Sequence, residues 1–218
     1  MDQTLALFIL DQQNSNSNQA YEIRAAYLGI YKKVSRYKLD DKLRFVQSIY
    51  EYVHRKHLKT YKGYVSLHET ILANKYDCLT GTAIFSMLLN EFEIPHQILE
   101  FETHLLITGN IEGTFWVLDP TDPSTGFITD KRFAVARLNK YQNSTSDPSA
   151  LVDFDKPNRI SLIELAGLQY YNLAVKSFNN EQFDEADHFL RLTEQLYPSS
   201  RAQNLKQLVV SSNWMALD

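Results

Sequence analysis

The chain has 218 residues, of which 44% are apolar and 22% charged, and a formal net charge of −4, a balance that suits a globular protein able to bury a real core. No basic stripe alternates with aromatics, which excludes nucleic acid as the expected partner, and no apolar run approaches the ~20 residues of a membrane span. The one cysteine, Cys78, excludes an intrachain disulfide framework and a cysteine-rich zinc site, and fits a reducing, cytoplasmic setting in which the short run Leu5–Leu10 is no secretory leader.

In chain order, residues 11–18 are polar and low in complexity and read as a loop or mobile N-terminal segment. Ile23, Tyr27, Ile30, Tyr31 and Val34 recur at helical spacing and predict a first amphipathic helix. Asp40 or Asp41 caps a second, with Leu43, Val46, Ile49, Tyr50 and Val53 on its apolar face. From Thr60 to Lys75 the pattern is mixed, with a turn at Gly63. Cys78 to Phe92 predicts a third helix with a broad apolar face, opened by Asp77 as N-cap, so that Cys78 stands in its first turn. Ile94-Pro95 ends it. Strands follow at Gln97–Phe101, His104–Thr108 and Thr114–Asp119, the last two joined by a turn at Gly109-Asn110-Ile111-Glu112. Residues 139–159 are polar and dotted with proline, the pattern of a linker, and Ser161 to about Asn213 is helical again.

These placements put chemistry-bearing residues together. A helix N-terminus lowers a thiol pKa through its oriented N–H groups, and Cys78 is expected there. A thiol nucleophile also needs a base, itself oriented by a third group. His104 and Asp119 lie on neighbouring strands. With the four-residue turn, His104 falls opposite Val117, and Asp119 lies one diagonal step away on the same face. A register shifted by one residue would separate them. The plainer alternative is that Cys78 is a small buried hydrophobe, and that His104 and Asp119 are packing and turn residues.

The phrases Tyr76-Asp77-Cys78-Leu79-Thr80-Gly81-Thr82-Ala83, Glu93-Ile94-Pro95, Thr103-His104 and Phe115-Trp116-Val117-Leu118-Asp119-Pro120 resemble the core of the transglutaminase-like superfamily, over roughly residues 40–125. Glu93 stands where that family usually has Gly. The resemblance implies an α+β fold of the papain-like kind, with a central cysteine helix packed on an antiparallel sheet. It also implies a triad of Cys78 as nucleophile, His104 as general base and then acid, and Asp119 as orienter of the imidazole. The family's oxyanion donors are the cysteine N–H and an upstream side chain, for which Asn74 and Tyr76 are guesses here. The implied activity is acyl transfer on an amide or peptide bond, by hydrolysis or transamidation, with a protein or peptide substrate and no metal or organic cofactor. The rival reading is a non-catalytic interaction module on the same fold.

Other motifs carry less. His54 and His57 share a helix side at i, i+3, as two metal ligands would, but Arg55, Lys56 and Lys59 surround them, and a solvated helix end accounts for them. His68 precedes Cys78 by ten residues without a fixed position, and Asn143-Ser144-Thr145 has the form of a glycosylation acceptor in a loop. Residues 167–200 fit one tetratricopeptide unit through Tyr170, Leu173, Ala174, Phe183, Ala186, Leu190 and Pro198, with Leu205 to Trp214 as a capping helix. A single unit cannot bury its own face, so it must dock on the core or on another chain. The order of parts resembles the bacterial SirB1-type family: residues 1–138 as core with its N-terminal helices, 139–160 as linker, and 161–218 as helical tail. Such tails serve protein contact, or here simply complete the core.

Overall fold

A computed structural model describes residues 2–13, 17–142 and 157–215. The chain opens with helices α1 (Asp2–Leu7), α2 (Leu10–Gln13) and α3 (Ser17–Ser35). The loop expected at 11–18 is therefore helical at both ends, while residues 14–16 lie outside the described residues. Its anchor is apolar: Leu5, Phe8 and Ile9 are buried, and Tyr170 from the far end of the chain donates its hydroxyl to the Leu7 carbonyl at 3.0 Å and accepts the Leu10 N–H at 2.8 Å. Helix α4 (Lys42–Lys56) starts at Asp41, whose carboxylate accepts the Arg44 N–H at 3.0 Å.

The mixed stretch from Thr60 resolves into strand β1 (Thr60–Tyr61), helix α5 (Leu67–Ala73) and strand β2 (Lys75–Tyr76), with β1 and β2 paired in parallel. Ser66 and Glu69 form a capping box that starts α5. Helix α6 (Cys78–Glu91) follows, with every residue from Leu79 to Leu89 buried, as a helix apolar on all sides requires.

Strands β3 (Gln97–Glu100), β4 (Leu105–Ile111), β5 (Thr114–Leu118), β6 (Phe127–Ile128) and β7 (Asn158–Ile160) make an antiparallel sheet in the order β6-β5-β4-β3-β7. The protein is thus α+β. The β4–β5 hairpin turns on Glu112-Gly113, which take φ of 51° and 84°, the positive values that a two-residue hairpin turn needs. That turn lies later than the sequence pattern implied, so Thr108, not His104, opposes Val117. The displacement is an even number of residues, which preserves the face each side chain occupies.

Alternation divides the sheet. Ile98, Leu105, Ile107, Trp116, Leu118 and Ile160 join α3, α4 and α6 in the main core, where each fully buried Leu or Ile contributes roughly 1.5–3 kcal/mol. Leu99, Phe101, Leu106 and Val117 point the other way and are covered by helix α7 (Lys131–Gln142) through Ala134, Leu138 and Tyr141. The expected linker differs at both ends: 139–142 continue α7, and Asn158–Ile160 re-enter the sheet beside β3 because Ile160 is buried there. Residues 143–156, including Asn143-Ser144-Thr145, lie outside the described residues.

The tail comprises α8 (Leu162–Asn179), α9 (Phe183–Leu196) and α10 (Ser200–Met215). Tyr170, Leu173, Ala174, Ala186 and Leu190 form its own apolar cluster. It docks on the core: Leu165, Ala166 and Leu168 join the main cluster, and the Gln169 amide accepts the Leu67 N–H at 2.7 Å while donating to the Phe8 carbonyl at 2.9 Å.

Candidate active site

Asp77 fixes the start of α6. Its carboxylate accepts the Thr80 N–H at 2.9 Å and the Val65 N–H at 3.4 Å, and Thr80 Oγ1 accepts the Asp77 N–H at 3.1 Å. Cys78 is therefore the first helical residue, partly exposed. Gly81, one turn on, lies so close to the Asp119-Pro120 turn that a Cβ there would come within 2.9 Å of Pro120 Cβ. The absence of a side chain at that point lets the cysteine end of α6 pack against the end of β5.

His104 and Asp119 sit just past the paired residues of β4 and β5, on the face covered by α7. Imidazole Nε2 lies 3.0 Å from Asp119 Oδ1. A carboxylate only accepts, so Nε2 carries the proton and Nδ1 is the ring nitrogen left for other chemistry. The same oxygen accepts the Thr121 N–H at 3.0 Å and the Thr121 hydroxyl at 2.8 Å. Asp119 Oδ2 accepts from Arg137 Nη1 at 2.7 Å and from the Tyr141 hydroxyl at 2.9 Å. Arg137 reaches on to Asp122 at 2.8 Å, and the Tyr141 ring stacks on His104 with centroids 4.0 Å apart and planes 18° from parallel. Asp119 is fully buried, and burial would raise its pKa. The hydrogen bond and charge of His104 and the bonds from Thr121 outweigh that, and hold it well below the usual carboxylate range.

Neither Arg137 nor Tyr141 was legible as a site residue. The available signal was helical: Ala134, Leu138 and Tyr141 at i, i+4, i+7, after Asp130, which accepts the Arg132 N–H at 2.8 Å. Tyr50 belongs to the same scaffold. Its hydroxyl donates to the Asp122 carbonyl and accepts the Gly126 N–H at 3.0 Å, closing the loop that follows Asp119.

Cys78 and His104 line one cavity of about 440 Å³. Tyr61, Gly63 and Tyr64 contribute one side, residues 100–105 another, and the tail supplies Leu168, Asn172 and Arg201. Asn74 and Tyr76 are not among the lining residues; Asn74 is the left-handed C-cap of α5, and Tyr76 is buried in β2. Among the described residues, no hydrogen bond joins Cys78 Sγ to the imidazole.

The thiol departs from expectation. Burial, then the adjacent Asp77 charge, push Cys78 up to about 12, against the lowering effect of the helix N–H groups and with a further push from Asp119. The carboxylate that caps α6 accepts the Thr80 N–H, and its charge opposes the thiolate that the Cys78 and Leu79 N–H groups favour.

The remaining histidines separate. His54 is buried, not solvated: it packs among Tyr50, Phe85 and Tyr76, and neither ring nitrogen has a hydrogen-bond partner. His57 is partly buried with the same lack of partners. His68 bonds Ser66 Oγ through Nδ1 at 2.8 Å and does not line the cavity. Among the described residues, no three His, Cys, Asp or Glu side chains gather as a metal-binding group, and no helix is long and apolar enough to cross a membrane. Compared with known proteins, the chain matches no family model, no curated protein and no solved structure.

Proposed function

We propose that this protein is a cysteine-dependent acyl-transfer enzyme acting on amide or peptide bonds, with Cys78 as nucleophile, His104 as base and then acid, and Asp119 as orienter. The observation that carries the proposal is the 3.0 Å contact from His104 Nε2 to Asp119, made on the wall of the cavity that also receives the head of α6. The resemblance of the Cys78, His104 and Asp119 phrases to the transglutaminase-like superfamily supports the same assignment, and the helical offsets of residues 167–200 support a tetratricopeptide-like tail of the SirB1-type order.

In the reaction, His104 Nδ1 takes the Sγ proton as sulfur bonds to the substrate carbonyl carbon. The C–N bond then breaks, and the amine leaves with the proton that His104 returns. Water or a second amine, deprotonated by His104, attacks the thioester, releases the acyl group and restores the thiol. Because the resting thiol is held neutral, base catalysis rather than a standing thiolate has to supply the nucleophile.

The test is the rate of Cys78 carbamidomethylation by iodoacetamide at pH 7, read by intact mass. The expected result is that His104→Ala slows labelling by at least about tenfold, a threshold set below the roughly 10²–10⁴-fold typical of general acid–base catalysis. Labelling that is slow in the parent chain and unchanged in His104→Ala refutes the enzyme. One observation favours the second reading, a non-catalytic module whose tail holds a partner: the raised thiol pKa of Cys78. That outcome would select it.

A further inference from the structure

The tail's contribution to the cavity wall raises the question of what it does there. Glu100 is the last residue of β3, and the three residues after it turn into His104, with the Phe101 N–H donating to the His104 carbonyl at 2.9 Å. Glu100 is 4% exposed, and its carboxylate is gripped from outside that hairpin. Arg201 of α10 donates to Oε1, while Oε2 accepts from the Tyr197 hydroxyl at 2.6 Å and from Asn158 of β7 at 3.3 Å. The Arg201 guanidinium in turn lies over the rings of Tyr171 and Tyr197, 5.3 and 5.6 Å from their centroids.

Docking alone does not call for this arrangement. Glu100 is buried while the Arg201 side chain is 32% exposed; replacing an ion pair with a buried partner by packed apolar side chains is commonly neutral or stabilising, so a Leu–Met contact would hold the tail as well. What an ion pair adds is geometry. A guanidinium held against two rings has a fixed place, and so fixes where the carboxylate oxygen bonded to it sits. Here that carboxylate ends the strand from which the His104 turn departs.

We propose that Arg201 is a positioning residue for His104, acting through Glu100, so that the tail is a working part of the reactive site. The proposal rests on reading Cys78 and His104 as the reacting pair. It gives the tail a role that requires no external partner.

The test compares Arg201→Met, the double variant Glu100→Leu/Arg201→Met and His104→Ala in the full chain, each well below its melting temperature. Two quantities are read: the pH profile of Cys78 carbamidomethylation, and the ring ¹⁵N and ¹H resonances of His104, which report its Nε2–H bond to Asp119. Arg201→Met should slow labelling by roughly five- to tenfold, within the range of energetic coupling through a packed network, and should move the His104 resonances. The double variant should regain thermal stability without regaining either. The proposal is overturned if Arg201→Met keeps the parent rate and His104 resonances while folded, or if the double variant restores stability, rate and resonances together. If His104→Ala itself leaves labelling unchanged, the acyl-transfer reading fails, and the His104 resonances still decide whether Arg201 positions that ring.

Discussion

Acid should unfold this protein partly through a histidine outside the candidate active site. His54 is buried with both ring nitrogens unpartnered, and burial pushes its pKa down to about 4, only partly opposed by the charges of Asp119 and Asp122. The unfolded chain returns it to an ordinary value near 6.5. Between those values the unfolded state binds more protons than the folded state, so stability is lost as pH falls from about 6.5 towards 4. The difference of roughly 2.5 pKa units corresponds to about 3 kcal/mol when both forms are fully titrated. Carboxylates held low, Asp119 and Asp122, stabilise at pH above their unfolded values and lose that only at lower pH, so their window lies below. His57 and His96 are also lowered by burial and share the upper window, which makes the mutant difference the informative quantity. His54→Leu replaces the ring with a side chain of similar volume that leaves no orphaned nitrogens, so stability at pH 7 should hold or rise. Urea unfolding at pH 7, 6, 5 and 4 should show parent and variant curves diverging by about 3 kcal/mol across the series. Curves that stay parallel within about 0.5 kcal/mol would mean that the folded state protonates His54 freely, and the burial argument would be wrong.

Two further outcomes concern the scaffold of the cavity. Asp77→Asn keeps an N-capping oxygen but removes the charge beside Cys78, so iodoacetamide labelling should become several-fold faster at pH 7 while stability changes by less than about 1 kcal/mol; an unchanged pH profile would clear Asp77 of raising the thiol. Tyr50→Phe removes the hydroxyl that joins Asp122 and Gly126 while the Gly126 N–H keeps its bond to the Asp122 carbonyl at 3.1 Å, and should cost about 0.5–1.5 kcal/mol by urea unfolding; no measurable loss would show that the loop after Asp119 holds itself.

The parts legible in the sequence are those where two local signals coincide. Helix α4 has Asp40 and Asp41 followed by a 3.6-residue apolar face, and α6 has Asp77 followed by an apolar run, so the start of α6 could be placed to the residue and that of α4 to within one. The shared face of His104 and Asp119 was legible for a different reason: alternation survives any even error in register, and the misplaced turn was such an error. The turn was misplaced because Glu112-Gly113 is a weaker hairpin signal than Asn-Gly or Asp-Gly. Helix α5 was hidden by its seven-residue length, although Ser66 and Glu69 had the spacing of a capping box. Arg137 was not legible at all. On a helix it looks like any solvated charge, and only the chain's path back across the sheet brings it to Asp119. Basic neighbours made His54 look solvated, whereas its position four residues after Tyr50 puts it on the buried face.

The proposed reactive site therefore contains a conflict that its geometry localises. The helix that presents Cys78 is started by a buried carboxylate, and that carboxylate opposes ionisation of the thiol it positions. Transfer of the proton to His104 puts a positive ring beside Asp119, which with Asp122 and Arg137 forms a group carrying one net negative charge. The imidazolium would balance that group, so the acceptor side of the transfer is favourable; the unfavourable side is the thiolate near Asp77. In the proposed reaction what offsets it would arrive with the substrate: a carbonyl carbon would convert the sulfur charge into a covalent bond and move the charge to oxygen, away from the capping carboxylate. On the proposed reading the sulfur reacts as His104 takes its proton, so its rate with an electrophile follows the state of that ring.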